Sequence, residues 1–98
     1  MQQISTSTGS KTSGGQTVSI ECTLTHVQLI SDGTNAATLQ VYDGTSSSGV
    51  LLASLSIAAT TAAPQSFTYN KPVVANKGLF TVLTGTGASF LMHYIPGT

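Results

Sequence analysis

Apolar and polar side chains alternate through 79-LFTVLTGTGASFLMHYI-95, on both sides of a glycine-rich break. Spacing two is the period of a strand, because successive side chains of an extended chain point to opposite faces. Leu79, Thr81 and Leu83 share one side, with Phe80, Val82 and Thr84 on the other. Beyond the break, Phe90, Met92 and Tyr94 oppose Leu91, His93 and Ile95. The glycines of 84-TGTGAS-89 admit positive φ, so the stretch predicts a hairpin. Both of its arms carry apolar residues on both faces. Such a hairpin is either the central pair of a sandwich or a pair whose second face meets another subunit.

The same period recurs upstream. Val18, Ile20, Cys22 and Leu24 keep spacing two, and the parity then changes at Val27 and Leu29, which predicts a β-bulge or two successive strands. In 31-SDGTN-35, Asp32-Gly33 favours a tight hairpin turn. The segment 37-ATLQVYD-43 places Leu39 and Val41 on one face, 44-GTSSSG-49 is a loop, and 50-VLLASLSI-57 is apolar at Leu51, Ala53, Leu55 and Ile57. Alanines in 58-AATTAAP-64 would suit a helix, but Thr60, Thr61 and Pro64 favour a loop. Phe67 and Tyr69 share a face of 66-SFTYN-70, and Pro72, lacking an N–H, marks an edge strand or a crossing loop. About seven short strands at spacings of about ten residues, with no helical period, predict an all-β fold: an antiparallel β-sandwich, jelly-roll-like. Residues 1–16 are mostly Ser, Thr, Gly and Gln and hold too little apolar surface to offset the entropy of ordering. They are expected to form an extended, flexible N-terminal arm, with a short strand around residues 2–6, ahead of a sandwich domain at 17–98.

Charge is nearly missing. Of 98 residues 6% are charged, against about 25% in an average soluble domain, and the formal net charge is zero. A surface so poor in charge is weakly protected against association and is expected to be covered by partners. There is no arginine, and Lys11, Lys71 and Lys77 form no run. That argues against a nucleic-acid partner, since counterion release needs several neutralised phosphates. Every apolar run falls short of the ~20 residues of a membrane helix, and 1-MQQISTSTGS-10 lacks the apolar core of a secretory leader. The expectation is a protein made in the cytoplasm with no membrane partner.

The stock of reactive groups is Glu21, Asp32, Asp43, His26, His93 and the single Cys22. Cys22 is expected to serve as a small buried hydrophobe. Asp32 and Asp43 stand beside glycines in turns, where Asp bonds its own backbone rather than forming a glycosidase pair. His26 and His93 are joined by no third ligand at a useful zinc spacing. A G-x-S-x-G elbow is lacking, and no lysine follows 85-GTG-87 as a phosphate loop requires. Tyr42, Tyr69 and Tyr94 read as core-edge residues rather than a sugar-stacking platform. No catalytic residue, cofactor or metal is therefore expected, and the chain reads as a non-enzyme.

The order of the pieces, 37-ATLQVYDGTSSSGVLLASLSI-57, then 66-SFTYN-70, then 78-GLFTVLTGTGASFLMHYI-95, resembles a group of short all-β virion proteins of tailed bacteriophages. In that group LxVYDxxSxSGxxLxxL is followed by GLxxxxTGTGAxxxxxY. The matching residues are Leu39, Val41, Tyr42, Asp43, Ser48, Gly49, Leu52, Leu55, Gly78, Leu79, Thr84, Gly85, Thr86, Gly87, Ala88 and Tyr94, and the resemblance covers residues 20–95. It implies a sandwich module that oligomerises and coats or cements a capsid, or attaches to tail parts, with no active site. On that basis the chain is expected to be a virion structural protein made in the host cytoplasm: a capsid decoration or cement protein, a homotrimer bridging capsomers, with the major capsid protein or another virion protein as partner. The alternative is a tail- or fibre-associated receptor- or glycan-binding module working through loops 31–35, 44–49 and 84–89. The contact residues expected are Ile4 on the arm and Leu91, His93 and Ile95 on the second face of the last strand. The long Ser/Thr/Gly arm is a departure from the group's pattern.

Overall fold

Alternation decides which side chains each strand buries, and the observed ladders follow it. The computed structural model describes residues 6–60 and 65–96, with side chains described for all of these except 65–72. Ile4, residues 2–5 of the short strand expected around residues 2–6, and the shared face of Phe67 and Tyr69 lie outside the described residues.

Eight strands occur among the described residues rather than about seven: β1 (Thr6–Ser7), β2 (Gly15–Val18), β3 (Cys22–Ile30), β4 (Ala37–Asp43), β5 (Val50–Ile57), β6 (Gln65–Ala75), β7 (Leu79–Thr84) and β8 (Ser89–Pro96). They form two four-stranded sheets, a first of order β1-β8-β3-β6 and a second of order β2-β7-β4-β5. Every ladder is antiparallel. The shortest dimension of the molecule is 19 Å, about two layers at the usual sheet spacing of about 10 Å.

The core is what the inner faces leave between the layers. Leu24, Val27, Leu29, Phe90 and Met92 of the first sheet and Leu39, Val41, Leu55, Leu79 and Thr81 of the second are all buried. Each large apolar side chain there contributes about 1.5–3 kcal/mol. The one buried polar residue among those described, Thr81, shares a hydrogen bond of 3.0 Å with the Thr17 hydroxyl and donates to the Gly15 carbonyl at 3.3 Å. The parity change after Leu24 is a bulge within one continuous strand: Leu24 pairs with Tyr94 but His26 pairs with His93, so Thr25 is the extra residue. Its hydroxyl donates to the His93 carbonyl at 3.0 Å.

Several expectations are corrected. The stretch 84-TGTGAS-89 is not a hairpin turn, because β7 belongs to the second sheet and β8 to the first. It is a corner between layers. Gly85 there has φ +126°, and an added Cβ would run into the Ala36 carbonyl oxygen. Asp32-Gly33 likewise turns the chain from β3 in the first sheet to β4 in the second. Among the described strands only β4 and β5 form a local hairpin, across 44–49. Ile20 continues the alternation of Val18 and Cys22 yet is 53% exposed, because residues 19–21 cross from β2 to β3. Leu51 is also turned out. A register shift places Val41 opposite Ala53 but Tyr42 opposite Leu51, so Leu52 is the residue that packs on the core.

Residues 6–16 contact both sheets. Thr6 and Ser7 pair with Tyr94 and His93, and Lys11 bridges Phe90. The expected boundary at 16/17 falls inside β2. The Gln16 amide nitrogen stands 2.7 Å from the Val18 carbonyl, 3.1 Å from that of Gly44 and 3.3 Å from that of Leu79, joining β2, the β4–β5 hairpin and β7 at one end of the sandwich. Pro72 lies in β6, an edge strand, within the stretch where the ladder to β3 skips from Thr68 to Val73. An edge position beside a ladder break is where a residue without an N–H is tolerated.

Candidate docking surface

Strand β8 sits between β1 and β3, so the residues it turns outward lie in the middle of the first sheet. Those residues are Leu91, His93 and Ile95, all half-buried, and alternation places them on one face as expected. Register supplies their neighbours. Ile95 stands opposite Thr23, His93 opposite His26 on one side and Ser7 on the other, and Leu91 opposite Gln28. Ile30 pairs with Ser89 at one end of the face, and Val74, 47% exposed, pairs with Thr23 at the other. The described side chains of this face include no lysine, aspartate or glutamate.

The sequence placed His26 and His93 apart, and the structure brings them together. Their ring centroids are 5.1 Å apart, with planes inclined by 33°. Burial first, and then the neighbouring His93, push the His26 imidazole below its ordinary value.

The other reactive groups are scattered. Asp32 closes its own turn: Oδ1 accepts from the Thr34 and Asn35 amides at 2.9 and 2.8 Å, and Oδ2 from Asn35 Nδ2 at 2.8 Å. These bonds hold its carboxyl below the usual range, the Asn35 amide foremost. Asp43 departs from the expectation that it bonds its own turn, since its Oδ1 accepts from the Lys77 amide at 2.9 Å and so pins the β6–β7 turn to the end of β4. Cys22 is fully buried; burial, then the charges of Asp43 and Glu21, push its thiol up. Among the described residues no three histidine, cysteine or acidic side chains gather as a metal group, and no helix is long and apolar enough to cross a membrane. The described tyrosines do not converge. Tyr42 lies in β4 with its hydroxyl donating to Gln40 Oε1 at 3.0 Å, while Tyr94 packs against the core from β8.

Sequence reasoning missed one part of the surface. The most exposed large apolar side chains among those described are Ile20, Val50, Leu51 and Val74. By strand position all four lie toward the end of the sandwich that carries the β4–β5 loop and the β6–β7 turn. Ile20 and Leu51 were hidden because they continue a buried alternation, and only the crossover and the bulge turn them outward. Of the loops expected to act together, 31–35 and 84–89 share the opposite end, where Gly87 approaches the Asp32 side chain and the Thr60 amide donates to the Thr34 carbonyl at 3.0 Å. Loop 44–49 is not with them.

The chain matches no family model, and neither a curated protein nor a solved structure shows significant similarity to it.

Proposed function

We propose that the chain is a structural component of a bacteriophage virion, a capsid decoration or cement protein that self-associates as a trimer and bridges capsomers. The observation that carries the reading is the outer face of the first sheet. It is half-apolar and free of described Lys, Asp and Glu side chains, and it leads by way of Val74 toward the end bearing Ile20, Val50 and Leu51. A free monomer has little reason to keep such a surface, whereas a subunit that buries about 800 Å² against each neighbour does.

The strand order supports a finer reading of the fold. Four of the ladders join β1 to β8, β2 to β7, β3 to β6 and β4 to β5. That is the pairing produced when one long hairpin of eight segments rolls up into two layers, and we read the domain as a jelly roll. Jelly rolls recur in viral capsid and lectin domains, so the architecture is compatible with cement and with glycan binding alike, and the choice falls to the surface. A cement protein works mechanically: each contact must break before the shell opens, and modest contacts repeated over a lattice act together.

The test is immunogold labelling of particles of the phage that encodes the chain, with antibody raised against the full-length protein, alongside sedimentation of the purified chain. Label over the shell and a trimeric mass support the proposal. Label confined to the tail favours the receptor-binding alternative, and unlabelled particles refute both.

A further inference from the structure

We propose that His26 and His93 together bind a divalent transition-metal ion of the Zn²⁺, Ni²⁺ or Cu²⁺ class on the outer face of the first sheet. The proposal stands on the pair itself and goes beyond the virion reading; it holds whether or not the face docks against a partner.

Distance is the first argument. Zinc sits about 2.0–2.1 Å from an imidazole nitrogen, which puts each ring centre about 3.2 Å from the ion. Two such rings sharing one ion stand about 4.5 Å apart at a right angle and about 5.2 Å apart at the tetrahedral angle. The observed separation is 5.1 Å. The backbone brings the two rings to this separation. Without the extra residue at Thr25, His26 would share the parity of Leu24 and point into the core. The bulge turns it to the outer face and makes it the cross-strand partner of His93. Re-aiming a side chain is a recurrent use of such bulges. Thr25 holds the bulge by donating to the carbonyl of His93 itself. Both strands are internal to the sheet, so the two rings are carried on backbone fixed by ladders on either side.

Ligand chemistry selects the ion. Imidazole suits Zn²⁺, Cu²⁺ and Ni²⁺, whereas Mg²⁺ and Ca²⁺ require oxygen donors, and the described side chains of this face include no carboxylate. Two protein ligands leave coordination positions for water, so the site is an accessory one rather than a closed structural centre.

Calorimetry of untagged full-length protein with zinc, nickel or magnesium salts tests this. The expected result is saturable uptake of one Zn²⁺ or Ni²⁺ per chain, weakened at least tenfold by His26→Asn or His93→Asn alone, with no uptake of Mg²⁺. Both rings are half-exposed, so the variants should stay folded in metal-free buffer, and circular dichroism separates lost uptake from lost fold. The chain has two histidines, so its NMR spectrum offers a test that needs no variant: Zn²⁺ should move the ring signals of both together. Uptake unchanged by either substitution, or zinc that moves one ring alone or neither at millimolar concentration, overturns the proposal.

Discussion

Neighbours Leu91 and Met92 on β8 point to opposite faces of the first sheet, and aspartate at each should fail in different ways. Met92 is fully buried between the layers. Met92→Asp removes about 1.5–3 kcal/mol of burial and strands a carboxylate without a partner, which costs several kcal/mol more. The sum approaches the 5–15 kcal/mol that is the whole stability of a typical domain, so this variant should not fold. Leu91 is half-buried on the outer face. Leu91→Asp forfeits about 1 kcal/mol of burial and up to about 1 kcal/mol of strand preference, so the domain should survive with a lowered melting temperature. If the face docks, the same change places a charge in an apolar contact and should cost about 2 kcal/mol or more per interface, about a thirtyfold loss of affinity. Circular dichroism melting and sedimentation velocity read the two effects separately. The expected result is a folded Leu91→Asp that sediments as a smaller species than wild type. A Leu91→Asp as unfolded as Met92→Asp would refute the assignment of faces, and one that keeps the wild-type assembly would refute the docking role.

Gly85→Ala forces a side chain onto a φ of +126° and against the Ala36 carbonyl; urea unfolding should show a loss of about 1–3 kcal/mol or more. Because the folded-state pKa of His26 lies below its ordinary value of 6.5, the unfolded chain takes up the proton first as pH falls. The contribution of His26 is therefore fully present above about pH 6.5 and is lost as pH drops through the folded-state pKa, and His26→Asn should flatten the slope of stability against pH in that window. The Cys22 thiol, buried and raised in pKa, should react with a thiol reagent at the rate of unfolding in native buffer and at once in denaturant; rapid modification of the native protein would show that the layers open locally at β3.

What alternation reports is which face of a strand a residue occupies, and that much was legible. Leu91, His93 and Ile95 fall together on one face, the parity change between Leu24 and Val27 marks an irregularity that is a bulge rather than a break between two strands, and the β4–β5 hairpin lies where the Gly/Ser loop stands. Which strand lies beside which is a different matter. A hairpin turn and a corner between layers use the same glycines at positive φ, so 84-TGTGAS-89 predicts a hairpin where the chain makes a corner, and only the distant partners of β7 and β8 tell the two apart. The same holds for the candidate site. Nothing local to His26 or His93 signals the other, since their meeting depends on a ladder between segments remote in sequence. Leu51 and Ile20 mislead for a related reason, because a one-residue slip or a crossover inverts parity without changing residue type.

The nested pairing of β4 with β5, β3 with β6, β2 with β7 and β1 with β8 also orders how the chain must come together. Only the innermost pair closes a short loop, and each pair outside it closes a longer one whose entropy must be met before its contacts stabilise anything. Folding should therefore start at residues 44–49 and zip outward, on the slow, millisecond-to-second scale of topologies dominated by distant contacts. A nascent chain cannot complete the first sheet until β8 has left the ribosome. In hydrogen exchange the gradient should run the other way: the Thr6–Ser7 amides open first, and those of β4 hold longest.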